Sequence, residues 1–287
     1  MTAIRRPSLL PNFRRASGLK NVYRSSSPDN VAELIGSRNL LEPERFILYD
    51  ATLIVDLRSL TEVDLGKHKA IIEGAPGGQF EEVDGPEAIL KSQAKRQLLI
   101  LTGSCAPSRE DFLQYVRNEW VTPDDLLRIN KMSEEKQKDF LYQVVNKYGL
   151  PGLVEMILGC KLFICTVLKS ITAHLERNRH GKVLIHCTLG KDRCGIIAML
   201  CESMLGVRDD EIIDDFAKSR CIRTLAESKI TELFQGRVDS VRFSDAPPET
   251  MISTLKYLRD KYGSVAEYLD SAGFDLSWRQ RFVRLAS

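Results

Sequence analysis

The 287-residue chain has no uninterrupted run of eighteen or more apolar residues, so no segment reads as a transmembrane segment. Its start, MTAIRRPSLLPNFRRASG, lacks the apolar core of a secretory signal. The seven cysteines (105, 160, 165, 187, 194, 201 and 221) form no C-x-x-C pair and no zinc-ligand pattern. Their odd number argues against a disulfide framework and for a reducing compartment. A cytoplasmic protein is therefore expected. The Arg-rich start, with no acid before Asp29, keeps a mitochondrial presequence as an alternative, and nuclear placement is left open. A net charge of +2 gives no general attraction to nucleic acid or acidic membranes, so no nucleic-acid partner is expected. There is no internal repeat, no low-complexity tract and no dividing linker. The reading is a flexible basic start over 1–11 and a single domain over 12–287. Nothing in the sequence sets an oligomeric state.

What is present is the profile of a globular chain, 43% hydrophobic and 28% charged. Residues 1–30, rich in Arg, Ser and Pro, read as loop. VAELIGSRNL reads as a short helix ending at Gly36. ATLIVDLRS and RQLLILTGS carry the continuous apolar runs of buried parallel strands. The Gly-rich stretch 73–87 between them reads as loop. Thr122 followed by Pro123 marks a helix start, and SEEKQKDFLYQVVNKYG a helix ending at Gly149. Ile164, Val167, Leu168, Ile171 and Leu175 recur at helical spacing, predicting one long helix over 152–179 with Gly181 as its left-handed exit. His174 on it reads as packed or half-exposed. KVLIHC is the next strand, and an apolar stripe from Ile196 to Leu205 the next helix. Further helices follow to the C-terminus. Strands alternating with helices imply an α/β fold, a central mostly parallel sheet flanked by helices. The region 108–160 reads as either a helical lid or ordinary covering helices.

The informative stretch is HCTLGKDRCG. It joins the strand KVLIH to a helix, and such a junction at the carboxyl end of a sheet gathers backbone N–H groups into an anion site. Cys187 opens the loop and Arg193, at the helix start, can fork two hydrogen bonds onto phosphate oxygens. The field that holds a phosphate also favours a thiolate. A thiolate facing a bound phosphate is an in-line nucleophile, which predicts phosphoryl transfer to sulfur and then hydrolysis. Gly190 would permit close backbone approach to the anion, and Gly195 tight packing of the helix. The bland alternative is a buried cysteine beside a surface arginine.

HCTLGKDRCG resembles the signature of the cysteine-based protein-tyrosine phosphatase superfamily. The Gly-Lys-Asp-Arg run resembles the branch similar to mycobacterial protein tyrosine phosphatase B and its fungal relatives. NFR (12–14), VYRSSSPD (22–29), IVDLRSLTE, DFAKS (215–219) and KYGSVAEYL are similar to further segments of that branch; residues 60–180 match it poorly. The resemblance implies a phosphatase-like fold, with Cys187 as nucleophile and Arg193 as phosphate clamp. It implies that His186 supports the loop and keeps the thiolate pKa low. It implies that Thr188, Leu189, Gly190, Lys191, Asp192 and Arg193 cradle the phosphate. Cys194 and Asp215 would be supporting residues, with no cofactor and no metal.

Ester cleavage needs a proton donor, and the chain has no Trp-Pro-Asp tripeptide to supply one from a separate loop. Asp192 is the candidate acid by position. Its alternative role is to cap backbone N–H groups of the helix. Asp124 and Asp56 are weaker candidates, and Asp56 is expected to pair with a nearby arginine. Lys191 reads as charge at the pocket rim, which would suit a second anionic group; phosphoinositides therefore stand beside phosphorylated proteins as substrates. Lys218, Ser219 and Arg220 read as a solvated face. Cys194 stands where the branch has Ser or Thr, Arg15 where it has an acid, and Phe216 where it has Tyr. A thiol is a poorer donor than a hydroxyl, so slower turnover is expected, and Cys194 is also a candidate partner for Cys187 under oxidation. The leading function is phosphomonoester hydrolysis through a cysteinyl-phosphate. The alternatives are a phosphoprotein-binding pseudophosphatase and a rhodanese-type sulfurtransferase.

Overall fold

The computed structural model describes residues 8–59, 62–63, 65–100 and 108–287. Cys105 and the end of the RQLLILTGS run lie outside the described residues. Six strands, β1 (Arg14–Arg15), β2 (Val22–Ser25), β3 (Ala51–Asp56), β4 (Phe80–Val83), β5 (Arg96–Ile100) and β6 (Lys182–His186), form one sheet. Their order is β1-β2-β6-β3-β5-β4, and every pairing is parallel except β1 with β2.

The strand sequences explain why the sheet is buried on both faces. Leu53, Val55, Val183, Ile185 and Leu99 enter one core cluster. Ile54, Leu184 and Leu98, one step out of phase, enter the other. That is the period-2 alternation of strands with apolar cover on each side. The larger cluster packs under α6 (Glu134–Gly159), α7 (Lys161–Arg177) and α8 (Asp192–Met204).

The remaining helices are α1 (Glu42–Arg45), α2 (Leu65–Gly74), α3 (Pro86–Lys91), α4 (Arg109–Glu119) and α5 (Pro123–Ile129) on the N-terminal side. After α8 come α9 (Asp209–Ala217), α10 (Arg223–Phe234), α11 (Ser240–Ser244), α12 (Pro248–Tyr262), α13 (Val265–Ser271) and α14 (Leu276–Ala286). Thr122 caps α5 by accepting the Asp125 N–H, with Pro123 at the first helical position, as the sequence predicts.

Several expectations are corrected. Residues 1–30 are not all loop: β2 lies parallel to β6, register Val22↔Val183 to Ser25↔His186. Arg24, buried in an ion pair, hides that strand from a hydropathy reading. Leu10 is buried, so residues 8–11 of the start expected to be flexible pack on the core, while 1–7 lie outside the described residues. The stretch 73–87 holds edge strand β4, whose Glu81 and Glu82 are exposed. The helix expected over 152–179 is two, α6 and α7, bent by 69° at Cys160. Among the described residues no single helix is long and apolar enough to cross a membrane. Within α6, Gly149 (φ 64°) breaks the helical path two residues before Pro151. Gly181 has no positive φ; its missing Cβ leaves room for the His174 ring, which would sit 2.6 Å from it. His174 itself is fully buried, bonded to Thr52 and Gln97.

One core carboxylate is out of place electrostatically. Glu202 on α8 is buried and accepts the Ser17 N–H at 2.8 Å. Burial first, then the nearby charge of Asp215, pushes its pKa up to about 8 from 4.5. A carboxyl raised on folding contributes its stability below about pH 4.5 and loses it as pH rises through about 8. Glu202→Gln keeps an acceptor for Ser17 and removes the charge. Thermal melts at pH 6 and pH 9 should show wild type losing at least about 3 °C more than the variant across that range.

Candidate active site

Register puts Ser25, His186 and Asp56 side by side at the carboxyl ends of β2, β6 and β3. The loop 187–191 leaves from the middle of that row and enters α8 at Asp192. Its shape is set from behind. Asn12 Nδ2 donates to the Gly190 carbonyl at 2.8 Å and to that of Leu189 at 3.4 Å. Arg24 Nη2 donates to the carbonyls of Gly190 and Lys191, each at 3.0 Å, and Ser27 N–H to that of Thr188. In a trans peptide the C=O and the following N–H point opposite ways. Pulling these carbonyls back therefore turns the N–H groups of residues 189–192 to the other side, toward Cys187. The Gly190 N–H indeed donates to Cys187 Sγ at 3.2 Å. Gly190 has φ 66°, and a Cβ there would lie 2.3 Å from the Ser25 carbonyl. The close approach the sequence suggested is thus to strand β2.

The side chains behind the loop are themselves held. Asp215 accepts Arg24 Nη1 at 2.8 Å and Arg14 Nε at 2.9 Å, with all but the Arg14 side chain almost wholly buried. Ser219 accepts from Asn12 and Arg14 and is buried, which overturns the solvated reading for it; Lys218 and Arg220 are exposed. Asp56 pairs with Arg58, as expected, and lies 3.7 Å from His186 Nε2. Burial works against its charge, but His186 and Arg58 hold its pKa near about 2, which leaves it no proton to give near neutrality. His186 is fully buried at the end of β6. Phe216 packs on the helix start, where a Cβ on Gly195 would meet its ring at 2.9 Å.

Arg193 reaches over Cys187 from the first turn of α8. Its Nη1 and Nη2 donate to the two oxygens of Glu62 at 2.8 and 2.7 Å, and Nη1 also to the Leu57 carbonyl. Burial opposes the Glu62 charge, yet Arg193 holds its pKa down at about 2. Glu62 also accepts from Thr188 Oγ1. The carboxylate so fixes one side of the guanidinium and leaves the Nε side for a ligand. Glu62 was missed in the sequence as a site residue; the Glu after Asp-Leu-Arg in IVDLRSLTE was its signal.

Cys187 is buried, and its pKa is lowered from 9.0 to about 6. The largest cause is a hydrogen bond from the Cys194 thiol; burial opposes it, and the Arg193 charge and the Cys194 N–H add to it. Cys194 is fully buried, with its own pKa pushed well up by burial and by Cys187, so it stays a protonated donor. The Cys194 thiol also has the carbonyls of Ile185 and Ser25 within reach, at 3.8 and 3.9 Å.

Asp192 stands at the loop's open edge. Lys191 does not lie at the rim: its side chain is fully buried, with Nζ donating to Asp192 Oδ1 at 2.7 Å and to the Asp245 carbonyl at 3.0 Å. The rim reading fails because the polar loop folds inward onto the segment before α12. Asp124 is exposed on α5 and does not line the cleft. Above the loop is a cleft of about 440 Å³. Phe112 on α4, Leu153, Met156 and Ile157 on α6, and Ile230 and Phe234 on α10 line it. The region 108–160 thus supplies a wall of the cleft. Among the described residues no cluster of ligating side chains could hold a metal ion.

A thiolate beneath inward-facing amides, with an arginine clamped over it at the mouth of a helix, defines a cysteine-based phosphoryl-transfer site. Sequence comparison agrees: a profile of the tyrosine phosphatase family matches residues 20–284, and the chain belongs to that family. It is 34% identical over 91 residues to a triple specificity protein phosphatase, PtpB, of Mycobacterium tuberculosis, a match covering 31% of this chain and 32% of that one. It is 43% identical over 51 residues to a tyrosine-protein phosphatase of Nostoc commune, covering 18% of this chain and 17% of the other. The matched stretches thus span about a third or less of these relatives' length.

Alkylation of Cys187 by iodoacetamide as a function of pH reads out the thiolate. The rate should be half-maximal near pH 6 in wild type, the pKa of the folded thiol. Cys194→Ala should move that midpoint up toward the ordinary cysteine value, and Cys194→Ser should restore it.

Proposed function

We propose that the protein hydrolyses phosphate monoesters through a cysteinyl-phosphate, with phosphotyrosine in proteins as a substrate class. The observation that carries this reading is the contact set of Cys187: thiol and amide donors on the sulfur, under an Arg193 whose orientation Glu62 fixes. In the first step the Cys187 sulfur attacks phosphorus in line, and the ester oxygen leaves with the proton of Asp192. Developing charge on the equatorial oxygens meets the loop N–H groups and Arg193. In the second step water, losing its proton to Asp192, displaces the sulfur. The Cys194 thiol then stabilises the departing thiolate, as the hydroxyl it replaces would. Asp192 suits the donor role because it lines the cleft, whereas Glu62 is committed to Arg193 and Asp56 to Arg58.

The relatives named above carry tyrosine and triple specificity in their names, which supports a protein-phosphate substrate here. Buried Lys191 removes the charge argument for phosphoinositides. Turnover of p-nitrophenyl phosphate, blocked by vanadate and abolished in Cys187→Ser, is the expected result. A folded protein that binds a phosphotyrosine peptide without turnover would instead be the binding-only alternative. For the acid, Asp192→Asn should lower kcat on phosphotyrosine by about 10²-fold or more. It should cost far less on p-nitrophenyl phosphate, whose leaving group needs little protonation. An equal loss on both substrates removes Asp192 from the donor role.

A further inference from the structure

We propose that the cleft above Cys187 selects a phosphate monoester carrying a single phosphate on a hydrocarbon chain, a lipid-type alkyl or isoprenyl phosphate; this rests on the hydrolase reading above. The first observation is charge. Among the described residues lining the cleft, Arg193 is the one cation, and Glu62, Glu110 and Asp192 are acids. The neighbouring Lys191 is buried and spends its donors on Asp192 and Asp245. One phosphate finds a clamp there; a second would meet carboxylates and no counter-charge.

The second observation is size. An apolar cavity of about 150 Å³ is enough to hold a benzene ring. The cleft, at about 440 Å³, holds an aromatic ring and leaves as much space again or more. The third is what lines that remainder. Val145, Leu153, Met156 and Ile157 face Ile230 and Phe234 across it, and away from the loop the polar lining reduces to Ser108 and Glu110. A peptide drawn into it would bring an N–H and a C=O for every residue, each costly to bury without a partner. A hydrocarbon chain brings none. The occupant that satisfies floor and walls together is therefore a phosphate head on Arg193 with an apolar tail between α6 and α10. Its hydrolysis balances: the S–P bond forms as the P–O(alkyl) bond breaks and Asp192 protonates the alcohol. Water then forms the new P–O bond, the S–P bond breaks, and the water proton returns to Asp192.

The test is a series of para-alkylphenyl phosphates, ethyl to octyl, used below their micelle concentrations. The leaving group is nearly constant along it, so only the tail varies. kcat/KM should rise by about fourfold for each methylene buried and then level off when the cleft is full. The rise should appear in KM. Leu153→Gln and Met156→Gln, each checked for folding by circular dichroism, should flatten the slope relative to their own p-nitrophenyl phosphate rates. Dodecyl phosphate should bind Cys187→Ser more tightly than ethyl phosphate by calorimetry, a readout that needs no turnover. A flat series with p-nitrophenyl phosphate still hydrolysed overturns the inference and spares the hydrolase reading. Tail-dependent binding without any turnover does the reverse. A slope unchanged in both variants overturns the inference. So does a higher kcat/KM for a phosphotyrosine peptide, or for an inositol lipid bearing adjacent phosphates, than for dodecyl phosphate.

Discussion

The buried pair of Arg24 and Asp215 is the interaction on which the site rests. Two ions taken out of water are costly unless most of their donors and lone pairs are met. Here the solution is structural: Arg24 gives one nitrogen to Asp215 and the other to two carbonyls of the phosphate loop. Asp215 is in turn shared with Arg14, whose neighbour Asn12 takes further loop carbonyls. The loop's oxygens are thus tied down on one side by charge, and its N–H groups have only the other side to face. The Gly190 N–H on the Cys187 sulfur follows from that one-sidedness.

A single atom type separates this site from a hydroxyl-bearing one. Sulfur donates more weakly than oxygen, the ground for the slower turnover expected from the sequence. The structure places the Cys194 thiol in a fully buried position where its proton has no competing route to water. Low dielectric strengthens a hydrogen bond that is weak in solution. Burial thus offsets part of the weakness of sulfur as a donor at this position.

Legibility in the sequence followed distance along the chain. β3, β5 and β6 declare themselves because both faces are covered and their apolar runs are continuous. β2 does not, because its buried Arg24 reads as surface, and β4 does not, because an edge strand exposes its glutamates. The break at Cys160 is marked only by Gly159, inside an otherwise continuous apolar pattern. Cys187 and Arg193 sit within one loop and stand out by spacing and type, and Asp192 by its position in that loop. Glu62, Asn12 and Arg24 act on that loop across 131 to 178 residues, and only folding brings them there. Lys191 was misplaced for the same reason: its partner carbonyl, at Asp245, is 54 residues away.

That buried ammonium joins parts that look separate. One proton of Lys191 goes to the carboxylate of Asp192, and another to the backbone at Asp245, two residues past the cleft-lining Phe243. A displacement of that segment would take a partner from the same ammonium that holds Asp192. The segment beside the cleft and the carboxylate at the loop's edge are in this sense geared to each other, through one buried lysine.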